Sequence, residues 1–151
     1  MGMIEIASSA SAWRGYEYYK NNNVSFVNQV RENEYEGSVS GSRKEPYTVH
    51  IDILHPKRST CNCAFAEGSK KVCKHKVALF FSVFPNEADK YLAEVEQAEK
   101  EQEEYEERIY EMVGEKISKM KKSELQDALW QVLMDGPEWV FERFVREYIE
   151  Y

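Results

Sequence analysis

Cysteine occurs at Cys61, Cys63 and Cys73 and nowhere else in the 151-residue chain, and His75 stands two positions beyond the last of them. Thiolate sulfur and imidazole nitrogen are the donors that a tetrahedral zinc ion takes, at about 2.3 Å and about 2.0–2.1 Å. Four protein donors close such a site and leave no position for water or substrate. The chemistry expected of Cys61, Cys63, Cys73 and His75 is therefore structural zinc binding rather than catalysis. Two other readings stay open. The C-x-C pair could act as a redox dithiol, although the usual redox spacing is C-x-x-C beside a βαβ pattern, which the chain lacks. The cysteines could also be unrelated, against which the tight C-x-C and C-x-H spacings argue. A disulfide framework would leave one thiol over. On zinc, three thiolates and a neutral imidazole carry a net negative charge. Lys57, Arg58, Lys70, Lys71, Lys74 and Lys76 surround the motif in sequence, and nearby cations favour thiolate over thiol.

The elements that must position these donors are readable from pattern. Residues 1–12 are rich in Ala and Ser and show no clear periodicity. Trp13 to Lys20 predicts a short helix, and Asn21-Asn22-Asn23 a turn. Three strand-like runs follow, at 24–31, 35–41 and 47–54; in the last, Tyr47, Val49, Ile51 and Ile53 alternate onto one face. Asn33-Glu34 and Ser42 to Pro46 serve as turns, which makes an antiparallel meander, with Ser59 to Cys63 as a short fourth strand. Lys74 to Phe84 is apolar nearly all round and predicts a buried helix with Cys73 and His75 at its N-terminal end. A thiolate is well placed there, where the helix dipole favours negative charge.

Past Pro85 the character changes. Residues 87–121 predict one long helix, or two joined near Gly114. Tyr91, Val95, Ala98, Gln102, Tyr105, Ile109 and Met112 form a heptad-like seam, expected to pack one face on the protein. A dimerising coiled coil and a free acidic arm are the alternatives. Ser123 to Gln126 has the form of a capping box opening a further helix. Gly136-Pro137 separates it from a last helix carrying Val140, Phe141, Phe144, Val145, Tyr148 and Ile149. These two helices are expected to pair antiparallel, with their aromatic stripe as core.

The fold class expected is α+β: a small antiparallel β-meander with a zinc-stabilised finger and helix, then an all-helical C-terminal extension. The predicted boundary lies near Pro85, giving a module at 1–85, with its core at about 12–84, and an extension at 86–151. Charge divides at the same place. Residues 1–85 hold 11 Lys/Arg against 8 Asp/Glu, and residues 86–151 hold 9 against 19, which together make the net charge of −7. No run approaches the ~18 apolar residues of a membrane span. The first residues lack the basic and apolar regions of a signal peptide. Thiols arranged for metal suit a reducing compartment, and the expected location is the cytoplasm.

Cys61-x-Cys63, a nine-residue loop, Cys73-x-His75 and Ala78 three residues on resemble the SWIM-type zinc finger. Arg14-Gly15, Tyr18-Tyr19, Val24, the Gly37 to Gly41 strand and Tyr47-Thr48-Val49 resemble the lead-in of prokaryotic members, so the likeness spans about residues 12–84. The resemblance implies a zinc-stabilised ββα-like unit that binds DNA or other proteins, often beside helicase-type ATPases, transposases or kinases. The sequence holds no Walker-type loop, no G-x-S-x-G and no H-E-x-x-H, so no enzyme activity is expected. His50 and His55 read as ordinary surface histidines. The expected function is that of an interaction module or adaptor with a protein partner. The alternative is nucleic-acid binding through Lys57, Arg58, Lys70, Lys71, Lys74 and Lys76. Oligomeric state is left open.

Overall fold

The structure, a computed structural model, describes residues 2–150. In chain order its helices and strands are α1 (Met3–Ile6), α2 (Ser9–Lys20), β1 (Val24–Arg31), β2 (Glu34–Val39), β3 (Tyr47–Asp52), β4 (Thr60–Cys61), α3 (Lys74–Val83), α4 (Pro85–Lys119), α5 (Lys122–Asp135) and α6 (Glu138–Tyr148). A single 3₁₀ turn, Pro56–Arg58, sits between β3 and β4. The four strands form one antiparallel sheet in the order β1-β2-β3-β4, as the alternating runs predict. The β1–β2 turn places Asn33 in the left-handed region (φ 63°), which Asn tolerates better than most residues.

Internal packing divides the chain into two compact units, Met1–Glu96 and Gln97–Tyr151. In the first, Tyr47, Val49 and Ile51 of β3 are buried on the face that the alternation assigns them. Helix α3 lies against that face and against α2, with Val77, Ala78, Leu79 and Phe81 fully enclosed. Two glycines set how close these layers come. A Cβ on Gly15 of α2 would run into Val77, and one on Gly37 of β2 would lie 2.5 Å from Leu79 Cδ1. The first unit continues past Pro85 because Ala88 is buried, and Tyr91 and Leu92 pack on the same core.

Several expectations need correction. Residues 1–12 are not patternless: Met3 is buried within α1, and α2 begins at Ser9, capped by Ser8 Oγ, which accepts from Ser11 N–H at 3.2 Å. Capping and the burial of Ala12 start this helix, and hydrophobic periodicity registers neither. Of the two readings of residues 87–121, one long helix is the one observed: α4 runs unbroken through Gly114, where the side-chain position is open space. Helix α5 is not capped by Ser123. Its Glu124 carboxylate instead accepts from Lys121 N–H at 2.7 Å, so Ser123 lies inside the first turn.

The largest departure is in the second unit. Helices α5 and α6 do pack on each other. Yet among the described residues from Gln97 onward, Leu133 is the only buried side chain. Trp130 is 63% exposed and Trp139 61% exposed, and Phe141 and Tyr148 are also exposed. Of the stripe expected to be core, Phe141, Tyr148 and Ile149 are exposed while Val140, Phe144 and Val145 are half-buried, because two short helices have too little area to enclose both apolar faces. The seam of α4 likewise packs only at its start. Every residue from Glu96 to Lys119 is exposed.

Candidate metal centre

Strand β4 pairs with β3 so that Cys61 stands opposite Val49. Asn62 then turns the chain. Its Oδ1 accepts from Thr48 N–H (3.1 Å) and from the Arg43 guanidinium (3.1 Å), which fixes the C-x-C segment to the sheet. Cys63 O accepts from Ala66 N–H (3.0 Å) and Glu67 N–H (2.9 Å), and Gly68 reverses the loop at φ +66°. Cys73 is the N-cap of α3, which sets its sulfur at the N-terminal end of that helix. His75 follows in the first turn.

These four side chains meet. Their donor atoms all lie within 4.8 Å of one another, and all four residues are buried. His75 Nδ1 is 3.7 Å from Cys61 Sγ. A tetrahedral zinc with the usual bond lengths sets its sulfur and nitrogen ligands about 3.6 Å apart, so this edge fits. The opposite ring nitrogen, Nε2, is buried without a hydrogen-bond partner among the described residues. The imidazole is held by packing instead. Tyr47 stacks on it at 4.0 Å between centroids, and Tyr18 meets it edge-on at 5.5 Å. Arg43 covers the Tyr47 ring at 4.1 Å.

The electrostatics suit thiolate donors. A hydrogen bond from the Cys61 thiol pulls the Cys73 thiol well below the ordinary range; His75 and the Lys76 backbone N–H add to this, against the opposing effect of burial. The same hydrogen bond, together with burial, pushes Cys61 up. A bound cation would take both sulfurs as thiolates. Lys76 is fully buried, and its Nζ donates to Lys71 O at 2.8 Å. Burial lowers its proton affinity while the three cysteines oppose that shift. Lys76 is thus a buried counter-charge to the cluster.

That position removes Lys76 from the expected nucleic-acid set, since a fully enclosed Lys76 cannot reach a phosphate. The other five cations are spread around the loops. Lys57, Arg58 and Lys70 line one cleft with Leu54 and Pro56. Lys71 lies over Phe65 and Lys74 over Tyr18, at 5.0 and 4.3 Å. Arg14, which sequence reasoning placed only in a lead-in, lines a cleft of about 380 Å³ with Lys74, Phe65 and His75. His50 and His55 stay outside the cluster. They pair with Glu34 (3.2 Å) and Asp52 (3.3 Å).

Comparison with known families finds that residues 47–84 match the model of the SWIM zinc finger. The match begins at Tyr47, so the lead-in likeness of residues 12–46 lies outside it. No curated protein and no solved structure matches the chain. Among the described residues, no helix is long and apolar enough to cross a membrane.

Proposed function

We propose that the SWIM zinc finger at residues 47–84 is a structural zinc module, and that the chain acts as an adaptor making contacts with protein. Cys61, Cys63, Cys73 and His75 would hold the ion, and they leave no donor position for catalysis. A bound zinc supplies folding free energy, about 10–16 kcal/mol in small zinc-finger peptides. This chain's own residues do the rest. Asn62 fixes the first two donors, the N-terminus of α3 favours a thiolate at Cys73, and Lys76 offsets the charge. Three thiolates suit a reducing compartment such as the cytoplasm.

The observation behind the protein reading is the exposed aromatic surface of α5 and α6, Trp130, Trp139, Phe141 and Tyr148. Large aromatic side chains left in solvent are the residues that anchor protein contacts, and Trp and Tyr dominate binding energy there. The test is affinity capture by the zinc-loaded chain against its Trp130→Glu/Trp139→Glu variant, followed by reconstitution with the purified partner. Loss of a reconstituted partner in the variant supports the reading, and equal capture overturns it.

The cleft of Lys57, Arg58 and Lys70 favours a second reading, nucleic-acid binding. Fluorescence anisotropy against single- and double-stranded oligonucleotides at two salt concentrations tests it. Backbone binding weakens steeply with salt and with Lys70→Ala. A flat titration at low salt removes it.

A further inference from the structure

We propose that the second half of α4 pairs antiparallel with the same segment of a second copy of this chain. The proposal stands on α4 alone and goes beyond the aromatic surface of α5 and α6.

The helix has one apolar seam with two fates. Tyr91 and Leu92 pack on the core of the first unit. Further along the same seam, Tyr105, Ile109 and Met112 are 51%, 38% and 58% exposed, as is every other residue from Glu96 to Lys119. A heptad seam without cover is what a second helix fills. The charges say which helix. Glu99 to Glu107 contains six Glu and one Lys, and Lys116 to Lys122 contains four Lys and no acid. Glu99, Glu103 and Glu107 fall at i,i+4 spacing, where like charges destabilise an isolated helix. A parallel pair would set acidic stretch on acidic stretch. An antiparallel pair sets each acidic stretch beside the basic stretch of the other copy.

Individual positions agree. Glu101, Arg108, Glu115 and Lys122 recur at heptad spacing along one edge of the seam. In an antiparallel pair like edges face each other. Layering Ile109 of one copy on Met112 of the other brings Arg108 opposite Glu115, twice by symmetry. The next layer sets Tyr105 on Lys116, whose stem can cover the ring. Glu101 then points toward the Lys119 to Lys122 end. The pattern is self-complementary, as a two-fold interface requires.

Sedimentation equilibrium of the purified, zinc-loaded full chain, with no other protein present, is the test. The expected mass is twice the 17.7 kDa of one chain. Ile109→Glu/Met112→Glu gives the single-chain mass with zinc content unchanged. Arg108→Glu and Glu115→Arg each weaken self-association about five- to tenfold, because symmetry repeats each pair. Combined, they restore it. A single-chain mass for the unaltered protein overturns the proposal and leaves the adaptor reading to its own capture test. So does a dimer that survives Ile109→Glu/Met112→Glu, or one that the double charge reversal fails to restore.

Discussion

Two parts of this chain have similar fractions of apolar side chains and put them to opposite uses. In Met1–Glu96, Val49, Ile51, Val77, Leu79 and Phe81 are enclosed between a sheet and two helices. Among the described residues from Gln97 onward, Trp130, Trp139, Phe141 and Tyr148 face outward and Leu133 is the only buried side chain. What differs is closure. A sheet face and two helices make layers with an inside, and four side chains that converge on one point pin the loop across it. Helices α4, α5 and α6 have stripes but no third layer, so their own packing leaves the stripes open. Long-range packing holds the first unit together, and a zinc ion on the four donors would add a cross-link. Local terms hold the second.

Losing the cross-link should break this contrast most. Cys73→Ser is expected to lower zinc below one per chain and to unfold the first unit, since zinc binding there is folding free energy. Near-ultraviolet dichroism should lose the signal of Tyr16, Tyr47 and their neighbours while helical signal from α5 and α6 persists. A folded, metal-free variant would show that the site is dispensable. Acid should act in the same direction. Protons compete with zinc for three thiolates and an imidazole, so loading falls as pH falls, which a chromophoric indicator can follow.

Next in size is a paired truncation. Phe81→Ala removes a fully buried ring and should cost about 3–5 kcal/mol. Trp139→Ala removes a larger ring from an exposed position and should change stability by about 0.5 kcal/mol or less. Urea melts of the purified variants measure both. Similar costs would mean that the second unit has a core after all.

The metal centre was legible because its donors lie close in sequence and belong to residue types with few other reasons to cluster. The sheet was legible from the alternation of Tyr47, Val49 and Ile51. What could not be read were facts of long-range packing. Lys76 looks like any lysine of a basic loop until α3 turns it inward toward Lys71 O. The stacking of Tyr47 on His75 depends on the position of β3, and Gly15 matters only because Val77 arrives opposite it. The aromatic stripe of α6 failed for a different reason. Periodicity says that a helix has an apolar face and is silent on what covers it.

A smaller effect sharpens the account of the metal site. Lys76→Met is expected to weaken zinc affinity about 10- to 100-fold, the usual range for a group that supports a ligand set. The sign follows from its two opposing influences. Burial disfavours the ammonium and the thiolates favour it, so removing it leaves the loaded cluster without a counter-charge while sparing the metal-free fold that penalty. Chelator competition reads the first and a thermal melt of the metal-free protein reads the second. Unchanged affinity would reduce Lys76 to a packing residue.

The smallest expected change tests the claim that local terms hold the second unit. Glu124→Ala removes the acceptor for Lys121 N–H and a carboxylate from the first turn of α5. A lost cap of this kind costs about 0.5–2 kcal/mol. In a unit closed by packing, much of that loss is absorbed, because the helix is held by what lies against it. In α5, where Leu133 is the only buried side chain, nothing absorbs it. The first turn should fray, and amide hydrogen exchange at Leu125 to Ala128 should speed up while exchange in α3 stays as it was. Unchanged exchange in α5 would mean that its tertiary contacts outweigh its cap, and the two units would then differ in degree rather than in kind.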